Sequence, residues 1–201
     1  MKKTFLAGII CVAALTACNN DKTNSTTVTD TTAGSQVSDA AKAAAAATSA
    51  DTVTTTNTMN PDNEFAGEAA DGGMLEVKLG QLAKANGTAA SVKALGSMMA
   101  MDHGKANDEL KALAQKNNIS LPAALSEKSQ KTYDGLAAKK GADFDKAYAA
   151  MMVDDHNEDI PKFQSEADNG QNADLKAFAA KTLPTLKHHL EMSNSTKAGL
   201  K

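Results

Sequence analysis

The chain has 201 residues, 21 of them Lys and none Arg, against 24 Asp and Glu, for a formal charge of −3, and only 3% of its residues are aromatic. An acidic chain without a guanidinium group lacks the basic surface and bidentate contacts on which nucleic-acid binding depends, so no nucleic-acid partner is expected. Both cysteines, Cys11 and Cys18, fall in the first eighteen residues, which leaves the rest of the chain no thiol for a disulfide, a zinc-thiolate site or a nucleophile.

Lys2 and Lys3 precede a short apolar run from Phe5 to Leu15, which meets Leu15-Thr16-Ala17-Cys18. A basic start, a short apolar stretch and a small-residue cleavage site form a secretory leader, and the run is about half of the roughly 20 residues a membrane span needs. Residues 1–18 resemble a bacterial lipoprotein signal, in which Cys18 becomes the acylated first residue. Losing Lys2 and Lys3 would take the formal charge from −3 to −5. The expected location is the cell envelope, with the lipid on Cys18 as the membrane partner. Asn19 in the next position resembles the enteric signal for the periplasmic side of the outer membrane. A Cys18→Ser chain is expected to escape lipid processing, and normal lipid labelling of that variant would end this reading.

Residues 19–60 are mostly Thr, Ala, Asn, Ser and Asp, with Val28, Val37, Val53 and Met59 the only larger apolar side chains. Such a segment cannot bury enough surface to offset its ordering entropy. As a flexible coil it would span roughly 35 Å, which suits a tether.

From Pro61 the apolar residues recur with a helical period. A first helix is predicted over about 62–86, with Leu75, Leu79 and Leu82 on its stripe, Gly72-Gly73 as a bend or a late start, and Gly87 as its stop. Thr88 is the predicted cap of a second helix reaching about Asn117, with Val92, Leu95, Met99, His103, Ala106, Leu110 and Leu113 along its seam. A loop containing Pro122 leads to a shorter helix over 126–140, closed by Gly141. The next long helix, about 142–169, carries Phe144, Tyr148, Met152, His156, Ile160 and Phe163, and Gly170 ends it. In the last, starting near Asn172, Leu175, Phe178, Thr182, Leu186 and His189 align while His188 faces away. Pro161 and Pro184 each lie five residues from a histidine, where kinks are expected. Beyond the tether no segment alternates as a strand does. The expected fold is all-α, a ferritin-like four-helix bundle over 61–196 whose crossover connection carries the short extra helix.

One phrase occurs twice, MMAMDH at Met98 to His103 and MMVDDH at Met151 to His156. In both copies a Met precedes the His by four residues, so Met99 with His103 and Met152 with His156 share helix faces, flanked by Asp102 and Asp155. His103, His156 and His189 fall on the inward stripes of three helices. Glu76 lies at the edge of the stripe of the fourth, while Glu68 is nearer the stripe centre but further along. One carboxylate and three imidazoles meeting in a helical core make a candidate metal site. Six of the nine methionines (Met98, Met99, Met101, Met151, Met152, Met192) lie within five residues of one of these histidines, and thioether with imidazole suits copper(I). The same pattern fits packing: Met fills gaps in helical cores, and His103 bonded to Asp102 or Asp155 would be a satisfied polar group.

LEVKLGQLA at Leu75 to Ala83, the two M-x-x-D-H phrases, FDKAY at Phe144 to Tyr148 and LPTLKHHL at Leu183 to Leu190 resemble the bacterial envelope family filed as domain of unknown function 4142. The resemblance covers about Phe65 to Met192 and implies a ferritin-like fold, secretion or lipid anchoring, and no established activity. It marks Glu76, Asp102, His103, Asp155, His156 and His189. Di-iron proteins of the wider fold carry Glu-x-x-His on two helices. Here no carboxylate stands three residues before any histidine, and Asp102 and His103, about 100° apart on a helix, cannot both aim at one ion. A di-iron oxidase is therefore disfavoured. Two readings remain: an envelope protein that binds or buffers copper, iron or zinc, and a metal-free helical protein with an interaction or stress role. Enzymatic activity has no support beyond the fold analogy, and no protein partner is legible.

Overall fold

The structure is a computed structural model that describes residues 60–200. Cys18, the leader and the tether up to residue 59 lie outside the described residues. The described chain is all-α, with five helices: α1 (Pro61–Asn86), α2 (Ala90–Lys116), α3 (Glu127–Ala137), α4 (Gly141–Asn169) and α5 (Ala173–Gly199). None of them is long and apolar enough to cross a membrane.

The four long helices form two hairpins, α1 on α2 and α4 on α5, and the hairpins meet along α2–α5 and α1–α4. Contacts fix the directions. Lys116 pairs with Asp174, Glu109 with Lys181 and Asp102 with His189, so α2 and α5 run antiparallel. Phe65 packs edge-on against Phe163 and Glu76 lies beside His156, so α1 and α4 are antiparallel as well. It follows that α2 and α4 are parallel, and that residues 117–140, with α3, run back along the helices to join them. Asp71 on α1 fastens α3 there, accepting from the backbone N–H and the hydroxyl of Ser126 at 2.7 Å each and from the Ser129 hydroxyl at 2.6 Å.

Both hairpin turns use a carboxylate from another helix. Asp145 on α4 accepts from the backbone N–H of Thr88 at 3.0 Å and of Ala89 at 2.8 Å, and from the Thr88 hydroxyl. Asp62 on α1 accepts from the N–H of Gln171 at 3.0 Å and of Asn172 at 2.6 Å. Each acid satisfies donors that a helix start would otherwise leave unpaired and places negative charge at the positive end of the helix dipole. Thr88 is thus not the cap of α2, contrary to the sequence expectation: Ala89 holds the cap position, and the capping oxygens come from Asp145. Asn172 does cap α5, accepting from Asp174 and Leu175. The equivalences Asp62 with Asp145, Gly87 with Gly170, and Glu76 with Asp159 share one separation in sequence, 83 residues. The duplicated Met-His phrase does not follow this relation, since its copies sit on α2 and α4.

Some glycines act differently from their sequence reading. Gly87 and Gly170 end α1 and α4 with negative φ, not in the left-handed region; a Cβ there would meet the carbonyl oxygens of Ala83 at 2.6 Å and Glu166 at 2.7 Å. Gly72 and Gly73 lie inside an unbroken α1. Gly141 opens α4, while α3 ends at Ala137. Gly80 and Gly96 let the α1 and α2 backbones touch: a Cβ on Gly80 would sit 2.5 Å from the Gly96 oxygen and 2.8 Å from the Ala100 nitrogen. Helices α4 and α5 continue through Pro161 and Pro184.

Two apolar clusters fill the interior. One contains Phe65, Leu110, Phe163, Leu175, Phe178 and Leu186; the other contains Leu79, Val92, Met99, Phe144, Tyr148 and Met152. Along α2 and α4 the sequence passes from one cluster to the other through His103 and His156, and along α1 Glu76 lies where the clusters meet. A buried polar layer therefore separates two hydrophobic ones.

Candidate metal centre

The seam spacing of α2, α4 and α5 brings His103, His156 and His189 together, with the three rings buried and their centroids 5.1–5.6 Å apart. His189 Nδ1 lies 3.2 Å from His103 Nε2 and 3.2 Å from His156 Nε2. A four-coordinate ion bound by imidazoles at about 2.0–2.1 Å holds its ligands roughly 3.3–3.4 Å apart, and the two observed separations match that spacing.

The other nitrogen of each ring faces an acceptor. His103 Nδ1 lies 2.8 Å from Glu76 Oε2. His156 Nδ1 lies 2.9 Å from the Met152 carbonyl oxygen and 3.5 Å from Glu76 Oε1. His189 Nε2 lies 3.2 Å from Asp102 Oδ2. Outer carboxylates and carbonyls of this kind are what orient metal-bound imidazoles and fix their tautomers.

The Met152 carbonyl can only accept, so His156 Nδ1 holds the proton and Nε2 holds a lone pair. His189 Nδ1 carries at most one hydrogen and can serve only one of its two inward neighbours. If instead His103 Nε2 donates to it, His156 Nε2 faces a second acceptor. Every neutral arrangement leaves at least one 3.2 Å contact mismatched, and a buried mismatch of this kind is costly. A single cation at the meeting point would accept all three lone pairs.

Three carboxylates gather beside the imidazoles. Oxygens of Glu76, Asp155 and Asp159 lie within 4.8 Å of one another, as do the ligand nitrogens of the three histidines. Glu76 is 1% exposed, and its Oε1 and Asp155 Oδ2 have no hydrogen-bond donor.

The family model described as "Domain of unknown function (DUF4142)" matches residues 37–195. The chain belongs to the DUF4142 family. No curated protein and no solved structure matches it. The match begins inside the segment read as a tether.

Electrostatics in this DUF4142 domain follow from burial. Removal from water lowers His103 and His189 to about 4 and His156 to about 3, so the imidazoles are neutral at physiological pH. Burial also raises the acids: Glu76 lies well above its ordinary range, pushed further by the charge of Asp159. Asp155 rises to about 7 through burial and the charge of Glu76, and Asp159 to about 6 through burial and the charge of Asp155. Neutral imidazole is the form that binds metal.

The predicted residues divide into distinct roles. His103, His156 and His189 converge. Glu76, the candidate carboxylate at the edge of its stripe, belongs to the core, while Glu68, nearer the stripe centre, is exposed and pairs with Lys162 at 3.0 Å. Asp102 touches His189 on another helix rather than its neighbour His103, and Asp155 joins Glu76. The packing alternative paired His103 with Asp102 or Asp155, and His103 bonds Glu76 instead. Met99 and Met152 are buried in the apolar cluster, and the contact Met152 makes with His156 is through its carbonyl. Asp159 was missed, although its position four residues after Asp155 and three after His156 sets it on their face.

Proposed function

We propose that this chain is a lipid-anchored cell-envelope protein that holds a transition-metal ion through His103 Nε2, His156 Nε2 and His189 Nδ1. The observation that carries the reading is the inward lone-pair mismatch among three buried imidazoles, each fixed from outside by Glu76, the Met152 carbonyl or Asp102. An all-imidazole set suits zinc, copper and iron. Glu76 and Asp102 act as outer partners. Met99 and Met152 pack around the centre. No nucleophile with an adjacent base stands out, so holding or buffering the ion is the role the side chains support.

Antiparallel neighbours and the long 117–140 connection between parallel α2 and α4 support a ferritin-like bundle with one crossover. The envelope location rests on the Cys18 leader pattern. A specific observation favours a second reading: a protonated Glu76 could pass a hydrogen-bond chain through His103 and His189 to Asp102, giving a metal-free structural relay. Zinc titration of the chelator-stripped protein separates the two. One tightly held zinc per chain is the result expected, and no uptake together with a melting temperature indifferent to zinc, copper, iron and chelator would end the metal reading.

A further inference from the structure

The three-histidine site leaves one oxygen of Glu76 without a hydrogen-bond donor. Glu76 Oε2 meets His103 Nδ1 at 2.8 Å, while Oε1, 3.5 Å from His156 Nδ1, is buried without a hydrogen-bond donor, and Glu76 forms a group with Asp155 and Asp159. Asp155 Oδ2 is in the same condition. Among the described residues Lys128 and Lys162 line the neighbouring cavity; Lys162 lies 3.0 Å from Glu68 and 4.0 Å from Asp159, and neither lysine forms an ion pair with Glu76 or Asp155. Carboxylate oxygens gathered in a low-dielectric interior repel one another unless a proton or a metal cation lies between them.

The surroundings give an ion a way in. A cavity of about 430 Å³ opens beneath α3, and Asp155 and Asp159 line its wall with Asp154, Glu158 and Asp71. Asp159 also lines a small crevice shared with Glu76 and His103. The acids thus lead from solvent to the buried end of Glu76.

We propose that Glu76, Asp155 and Asp159 form a second cation site, separate from the three imidazoles, for a hard divalent ion of the manganese or magnesium type. An all-oxygen set of carboxylates selects hard cations, whereas imidazoles take the borderline ones, so adjacent sites of different chemistry can hold two different metals. Glu76 joins them, bonded to His103 through Oε2 and grouped with Asp155 and Asp159. This goes beyond the three-histidine reading and does not rest on it.

Mn2+ is the probe, followed by paramagnetic resonance, with the full chain stripped by chelator, loaded with Zn2+ and then titrated. One Mn2+ per chain is expected, with no displacement of zinc. Asp155→Asn and Asp159→Asn are each expected to weaken Mn2+ binding at least tenfold while zinc is retained, which also reports that they fold. Asp154→Asn, an exposed acid on the same cavity wall, should change nothing. Zinc uptake without Mn2+ uptake overturns the second site and leaves the histidine site standing; Mn2+ uptake without zinc does the reverse. Mn2+ binding equal in parent and both variants also overturns it. Should the variants fail to fold, Cu2+ in place of Zn2+ decides on the parent alone: neighbouring ions broaden the Mn2+ signal, and an unbroadened signal puts Mn2+ elsewhere and overturns the proposal.

Discussion

Glutamine at His103, His156 or His189 is expected to abolish the rise in melting temperature that zinc gives the parent. A ligand that binds only the folded state adds RT ln(1 + [L]/Kd), about 2.7 kcal/mol at a hundredfold excess over Kd. For a domain of this size that is a shift of roughly 8–10 °C. Without metal the same substitutions should matter little, within about 1 kcal/mol, because the amide can donate where the imidazole pair was mismatched. If the residues are packing groups, the order reverses: zinc leaves the parent unmoved, and each variant loses about 1–3 kcal/mol from a broken buried hydrogen bond.

This prediction has a pH arm. Burial holds His103 and His189 near 4 and His156 near 3, so protons compete with metal in the folded chain only below about pH 4. The zinc increment should therefore survive at pH 5, where an exposed histidine site with the ordinary value near 6.5 would have lost most of it. In the metal-free chain two sets of groups act against each other. Acidification from about 6.5 toward 4 puts protons on the histidines of the unfolded chain and not of the folded one, which destabilises. Asp155 and Asp159, raised to about 7 and 6, take up protons in the folded chain first, which stabilises as pH falls through those values. A nearly level metal-free melting temperature between about pH 4.5 and 6 is the expected outcome. A steep fall there would show that the acids are not held as the geometry implies.

Gly80→Ala is expected to cost about 1–3 kcal/mol and to weaken zinc binding as well. The new Cβ would lie 2.5 Å from the Gly96 oxygen and 2.8 Å from the Ala100 nitrogen, both backbone atoms that cannot swing aside. Helix α1 would have to draw back from α2, and Glu76, one turn before Gly80, would be displaced from His103. Gly67→Ala serves as the comparison: nothing lies within 4 Å of its Cβ, so helix propensity alone acts and stability should rise by about 0.4–1 kcal/mol. Equal melting of the Gly80→Ala and parent proteins would refute the close backbone approach.

The helices and the histidine layer were legible because large side chains at helical spacing mark a buried stripe, and the seams through His103, His156 and His189 all proved inward. The face of α1 was harder to read. Its contact with α2 runs through Gly73, Gly80 and Ala83, residues with almost no hydrophobic signal, and following Leu75, Leu79 and Leu82 instead put Glu76 at the margin. Pairing across long sequence distance was also hidden. Nothing local announces that Asp145 caps a helix start 57 residues earlier, that Asp62 reaches Gln171, or that Asp159 meets Glu76. The duplicated phrase pointed to the right histidines for an incomplete reason: its two copies lie on parallel, non-equivalent helices, and Met98, Met99, Met151 and Met152 line the hydrophobic layer while Met101 is exposed.

The central claim is that three imidazole nitrogens share one ion, and X-ray absorption at the zinc edge of the loaded protein tests it most directly. The account predicts a shell near 2.0 Å with the multiple-scattering signature of three imidazoles and at most one oxygen ligand beside them. A shell of oxygens alone, a sulfur shell near 2.3 Å, or fewer than three imidazoles would contradict it.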